Sequence, residues 1–197
     1  MTTKGHVDER TKTAYHEAGH ALAHFVLHIR FDGVTIKPSP ETDTLGQLIQ
    51  EAPRAISVND LQGWQVDEEI IACFAGPSAE ARISGRTCWP KGSNDFQFAF
   101  DLAAKLDHLH VEDIDPYLRD LWARAKNLLK RPGHWLGVER VAAALLQREV
   151  LSYSEVAGIL QASLEYPQPP MWRLRKSPAS ENPLLCSLIR RSLRRGA

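Results

Sequence analysis

The sequence of 197 residues has few cysteines, no excess of charge of either sign and no long apolar run. Cys73, Cys88 and Cys186 are far apart, which argues against a disulfide framework and a cysteine-rich metal site. Lysine and arginine total 24, as do aspartate and glutamate, so net charge does not favour nucleic-acid binding. No run reaches the roughly 18 apolar residues that span a bilayer, and the polar start lacks a signal-peptide core. We therefore expect a cytoplasmic protein.

The hydrophobic content of 43% is enough for a proper core, and the length suits one domain with an appendage. The chain changes character near residue 166, where prolines and then basic residues follow. We predict a domain over residues 1–165 and a proline-containing basic tail over residues 166–197.

His16, Glu17 and His20 form an H-E-x-x-H motif within a segment that has the composition of a helix and no proline. Positions i and i+4 lie one turn apart on the same helix face, so both imidazoles can converge on one Zn²⁺. The intervening Glu17 can then serve as the general base in metal-assisted hydrolysis. The alternative is a coincidental helical motif.

A catalytic zinc needs a third protein ligand, and the fourth position is left for water. A histidine ten residues after His16 would complete one known pattern, but that position is Val26. The remaining candidates are acidic residues at the start of a later helix, among which Asp95 stands out. The alternative for Asp95 is a plain helix N-cap.

Periodicity and turn residues predict a mainly α fold with a small β-sheet element. Two β-rich segments, residues 33–37 and 45–50, should pair as strands. The second segment is either an ordinary hairpin strand or an edge that pairs with an extended peptide. Pro77 predicts a kink or a restart within its helix. Helices are predicted at residues 8–28, from a cap at 57–60 to 83, at 95–110, from 115 to a break at 132–133, at 138–149 and at 152–162.

The sequence resembles the peptidase domain of FtsH-type AAA+ zinc metalloproteases. The resemblance begins with T-A-Y-H-E-A-G-H-A at residues 13–21 and continues through the two β segments. A-G-P-S-A-E at 75–80 matches the family's G-x-A-A-E run, and G-S-N-D at 92–95 matches its G-A-S-N-D motif. The match covers about residues 8–163.

The resemblance implies a zinc metalloendopeptidase with one Zn²⁺ per chain, bound by His16, His20 and Asp95, and with Glu17 as the base. The roles suit the chemistry, because a carboxylate is a good zinc ligand beside two neutral imidazoles. Gly19 costs about 1 kcal/mol relative to alanine in a helix interior. We expect it to allow close approach of the helix that carries Asp95.

The resemblance also implies unfolded polypeptides as substrates. The sequence has no G-x-x-x-x-G-K-[ST] phosphate loop, so we expect hydrolysis that is ATP-independent by itself. A homo-oligomer or a partner ATPase is the expected assembly. The alternative function is a non-catalytic, metal-bound regulatory or adaptor module.

The tail carries an apolar stripe with arginines largely opposite, which predicts an amphipathic helix after Asn182 and Pro183. Such a helix can contact an anionic membrane surface, which would make the protein peripheral to the membrane, or dock in a partner groove. It can also pack on its own domain or on a second copy, and nucleic-acid binding is a weaker option. Its basic residues are Arg173, Arg175, Lys176, Arg190, Arg191, Arg194 and Arg195.

Overall fold

The computed structural model describes residues 7–38, 45–49, 63–85 and 89–164, and these ranges confirm a mainly α fold with a small antiparallel sheet. None of the helices in these ranges is long and apolar enough to cross a bilayer. The elements are, in order, α1 (Glu9–Val26), β1 (Gly33–Thr35), β2 (Gln47–Ile49), α2 (Gly63–Ser84), α3 (Asn94–Ala103), α4 (Val111–Leu129), α5 (Pro132–Arg148), β3 (Val150–Ser152) and α6 (Tyr153–Ser163).

Helix α1 is the centre of the domain and packs against α2 and α5. Asp8 caps it by accepting a hydrogen bond from the backbone N–H of Thr11. A Cβ at Gly19 would lie only 2.6 Å from the carbonyl oxygen of Ala75. The close approach at Gly19 is therefore with α2, and the expectation that it involves the helix carrying Asp95 was wrong.

The sheet has the strand order β2-β1-β3, and both pairings are antiparallel. The central residue Val34 pairs with Leu48 on one side and with Leu151 on the other. Val34 and Leu151 are fully buried, so the sheet closes the core beside α1. The sequence predicted β1 and β2 but not β3, which lies directly before α6.

Three predicted helix boundaries were wrong. Helix α3 ends at Ala103, not at residue 110, and the chain then forms turns as far as His110. Helix α4 starts at Val111, before Pro116, because buried Ile114 anchors an additional turn. Helix α5 starts at Pro132, not at residue 138, because a proline in the first helical turn loses no hydrogen bond. The predicted break before it is present, since α4 ends at Leu129.

Other boundaries agree with the sequence. Ser152 and Glu155 form the predicted capping box of α6, and Gly85 has a left-handed φ of 67° after α2. The restart that Pro77 suggested does not occur, since α2 runs through this residue as one helix. The predicted cap at residues 57–60, Cys88 and the tail with its amphipathic segment lie outside the described residues.

Candidate metal centre

His16 and His20 project from the same face of α1, as their spacing predicts. Their Nε2 atoms are 3.0 Å apart. Asp95, from the start of α3, lies against both rings. Its Oδ2 is 3.3 Å from Nε2 of His16, and its Oδ1 is 3.3 Å from Nε2 of His20. The structure thus brings Asp95 against two histidines that lie 75 or more positions earlier in the sequence. The two histidines themselves are one helical turn apart.

The donor set fits a zinc ion. Zinc lies about 2.0–2.1 Å from its nitrogen and oxygen ligands, so two ligands of a tetrahedral site are about 3.3 Å apart. The two Nε2 atoms are 3.0 Å apart, and each lies 3.3 Å from a different carboxylate oxygen of Asp95. One ligand atom from each of the three residues can be chosen so that all lie within 4.8 Å of one another. Two imidazoles and one carboxylate leave a fourth position open, which is the arrangement of catalytic rather than structural zinc sites.

The second nitrogen of each imidazole contacts an acceptor on α2. Nδ1 of His20 lies 2.9 Å from the carbonyl oxygen of Ala72, and Nδ1 of His16 lies 3.2 Å from Oε2 of Glu80. Because both acceptors are oxygens, Nδ1–H donates in both contacts, and Nε2 of each ring faces the shared site. Such partners fix the tautomer and the ring orientation of metal-binding histidines.

Helix α2 also leaves space for the His20 ring. A Cβ at Gly76 would lie 2.3 Å from Nε2 of His20, which is far inside van der Waals contact. Gly19 on α1 and Gly76 on α2 therefore act together: one lets the two backbones approach, and the other lets an imidazole lie between them.

Asp95 is held at the start of α3 but does not cap this helix. Ser93 is the N-cap, and its side chain accepts a hydrogen bond from the backbone N–H of Phe96. The plain N-cap alternative for Asp95 is therefore wrong, and its carboxylate faces the histidines.

Trp89 anchors the chain segment that leads to Asp95. Its ring centroid is 5.5 Å from that of Phe96 and 5.8 Å from those of Phe74 and Trp122. The guanidinium of Arg119 lies 4.7 Å from the centroid of the same ring. This aromatic cluster joins α2, α3 and α4 immediately behind the third donor.

Glu17 is 5% exposed and lies within electrostatic range of all three donors. Burial raises the pKa of its carboxyl group, whereas the His20 and His16 rings act in the opposite direction. A general base with a pKa closer to neutral accepts and releases a proton more readily at physiological pH.

The charges of His16 and Asp95 stabilise each other. Burial opposes the charged form of His16, but hydrogen bonds to Asp95 and Glu80 outweigh it and raise the pKa of the ring. Burial would raise the pKa of Asp95, but the His20 and His16 rings hold it below its usual range. The negative potential that favours a proton on His16 also favours a cation between the three side chains.

Sequence reasoning missed the supporting residues Glu80 and Gly76. Glu80 was visible only as part of the G-x-A-A-E match, with no role attached. His24 and His28 continue the i+4 series but do not join the site: the His24 ring packs against Phe31, and His28 is exposed. Of the described residues, His16, His20 and Asp95 are the one group placed to hold a metal ion.

No protein-family model matches the sequence. The ATP-dependent zinc metalloprotease FtsH of Acidimicrobium ferrooxidans is 24% identical to it over 199 aligned positions. The alignment covers 81% of this chain but 29% of the relative, so the chain spans less than a third of that protein's length. The similarity suggests an FtsH-related peptidase region.

Proposed function

We propose that this protein is a zinc-dependent endopeptidase that hydrolyses peptide bonds in unfolded polypeptides and is ATP-independent by itself. The observation that carries the proposal is the convergence of His16, His20 and Asp95 beside the buried carboxylate of Glu17. Similarity to a zinc metalloprotease over 81% of the chain supports it.

His16, His20 and Asp95 would hold the metal, which supplies Lewis acidity when bound. Glu80 and the Ala72 carbonyl keep the two imidazoles in the tautomer that presents Nε2. Glu17 accepts a proton from the attacking water on a carboxylate oxygen and delivers it to the leaving amine. Because Glu17 is buried, bulk water competes little for its carboxylate.

Strand β2 supports an extended peptide as the substrate. Among the described residues it is an edge of the sheet, with β1 on its other side, and a further strand could pair with such an edge. Leu45, just before it, is 60% exposed, and Gly46 lies directly against Glu17. A peptide paired along this edge would run past the general base.

The second candidate is a metal-bound regulatory or adaptor module without turnover. Such a module needs the three ligands but has no use for a buried carboxylate beside them. The position of Glu17 therefore favours the enzyme.

The test is cleavage of an unfolded protein such as casein by the zinc-loaded chain and by Glu17→Gln. Glutamine is nearly isosteric but cannot accept the proton, so the variant should keep its zinc and lose about 10²- to 10⁴-fold in rate. Equal rates for the two proteins would refute the proposed role of Glu17. A wild-type protein that binds zinc but cleaves nothing, alone or with an added ATPase partner, would favour the regulatory module.

A further inference from the structure

Gly46, which directly precedes β2, lies against the side chain of Glu17 on α1. A Cβ built on Gly46 would be 2.8 Å from Cγ of Glu17 and 3.0 Å from its Oε1. The third close atom is the carbonyl oxygen of Thr35, at 2.9 Å. Two of these three atoms belong to the residue proposed as the general base.

Backbone conformation does not require a glycine here. The described glycines with a left-handed φ are Gly85 and Gly92, and Gly46 is not among them. An alanine at position 46 would therefore be excluded by the space around it and not by its own dihedral angles. To admit even one methyl group, either the Glu17 side chain or the start of β2 must move.

Burial limits the alternative positions of the Glu17 side chain. Glu17 is buried on α1, and the residue that precedes β2, Gly46, lies against its side chain. The carbonyl of Thr35 belongs to the central strand, which pairs with strands on both sides and cannot shift alone. The added methyl group would therefore press on the Glu17 side chain, at Cγ and at the carboxylate oxygen Oε1.

We infer that Gly46 is a positioning residue for catalysis: its missing side chain provides the space in which the Glu17 carboxylate is held at the metal centre. The inference rests on the proposed peptidase function for its catalytic consequence. Its steric part, the contact between Gly46 and Glu17, can be tested without any activity.

The experiment compares the full-length, zinc-loaded wild type with Gly46→Ala, Glu17→Ala and the double variant. The readouts are zinc content, Tm, and kcat and KM on fluorescently labelled unfolded casein. Gly158→Ala is the matched control, since a Cβ at Gly158 meets nothing within 4 Å. We expect it to keep wild-type kcat and zinc content.

Gly46→Ala should retain zinc and KM but lose about 10- to 100-fold in kcat, because small misplacements of a catalytic group cost that much. In the Glu17→Ala background the same substitution should cause no further loss, since the displaced carboxylate is already gone. A purely structural glycine would instead lower kcat by the same factor in both backgrounds, and that additivity would overturn the inference.

The Tm values form a second, independent cycle. Gly46→Ala should lower Tm by several °C, as expected for a local clash in a domain of this size. Removing Cγ and the carboxylate in the double variant should restore part of that loss, since the contact with the Thr35 carbonyl oxygen remains. If Gly46→Ala alone does not fold, folding of the double variant supports the contact. An equal loss of Tm from Gly46→Ala in the wild-type and Glu17→Ala backgrounds would assign the clash to Thr35 and refute the coupling.

The two cycles separate this inference from the proposed function. A zinc-loaded wild type that cleaves no casein refutes the peptidase, while the Tm cycle still decides whether Gly46 and Glu17 are coupled. An active wild type with an equally active Gly46→Ala refutes the positioning role and leaves the peptidase intact.

Discussion

Oε2 of Glu80 lies 3.2 Å from Nδ1 of His16, and this contact joins residues 64 positions apart on two crossing helices. It turns the other nitrogen of the His16 ring toward His20 and Asp95. The side chain of Glu80 is 41% exposed, so the carboxylate stabilises the imidazole from the rim of the site and not from the core.

Glu80→Ala should weaken zinc binding by about 10- to 100-fold, the usual effect of removing the partner of a metal-binding histidine. The zinc affinity of Glu80→Gln should lie between those of wild type and Glu80→Ala, because the amide oxygen still accepts the Nδ1–H hydrogen bond but carries no charge. Chelator competition measures both affinities. Glu112→Gln, an exposed change on α4, is the charge-matched control and should bind zinc as wild type does. Wild-type affinity in Glu80→Ala would show that the contact does not orient His16.

Two glycine-to-alanine substitutions should have opposite effects. At Gly76 the new methyl group would meet the His20 ring at 2.3 Å, so zinc should be lost and the domain destabilised by about 1–3 kcal/mol. At Gly158, exposed within α6 and free of neighbours, the same change should stabilise by up to about 1 kcal/mol. Denaturant unfolding measures both. A stable, zinc-loaded Gly76→Ala would contradict the described packing of His20.

His134 should make the domain acid-sensitive. Burial, together with the charge of Arg131, lowers the pKa of this histidine to about 4. Its pKa in the unfolded chain is about 6.5, so the unfolded state binds the additional proton between these values. The free energy of unfolding should therefore fall as the pH drops from 6.5 toward 4.

Titration of His134 should lower the free energy of unfolding by about 2 kcal/mol between pH 7 and pH 4.5. His134→Leu removes this titration, so its free energy of unfolding should decline less over the same interval. Urea unfolding at both pH values gives the two differences, and any acid-induced loss of metal affects both proteins alike. Parallel declines would show that His134 is not the titrating group.

Removal of the tail after Tyr166 should leave the zinc content and the fold of the remaining domain unchanged, because the three donors and the helices that carry them precede it. The shortened protein should lose binding to anionic lipid vesicles or its oligomeric state, measured by sedimentation and light scattering. Lipid binding by the intact chain should weaken with salt, since screening acts beyond about 8 Å at physiological ionic strength. A shortened protein that does not fold would instead assign residues 184–193 to the core.

The sequence was sufficient where local geometry decides the outcome. The i, i+4 spacing placed His16 and His20 together, and the capping box at Ser152 placed the start of α6 correctly. Asp95 was a candidate from its position at a helix start, and the resemblance to a family singled it out. Its distance from the histidines depends on how α3 packs against α2, which local periodicity does not specify.

What the sequence could not provide are contacts set by helix crossing and strand pairing. The pairs His16–Glu80 and His20–Gly76 both depend on the angle at which α1 crosses α2, and Gly19 was assigned to the wrong neighbour for the same reason. Strand β3 has three residues and no alternation long enough to detect. Its strand character comes from pairing with β1, not from its own sequence.

Zinc content in wild type and in single-ligand variants tests the metal centre most directly. Elemental analysis of the purified wild type should find about one zinc per chain. His20→Ala should lose nearly all of this zinc, and Asp95→Ala should bind zinc weakly. The zinc content of Asp95→Asn should lie between those of wild type and Asp95→Ala. Unchanged zinc in His20→Ala, with the fold intact by circular dichroism, would contradict a site built from His16, His20 and Asp95.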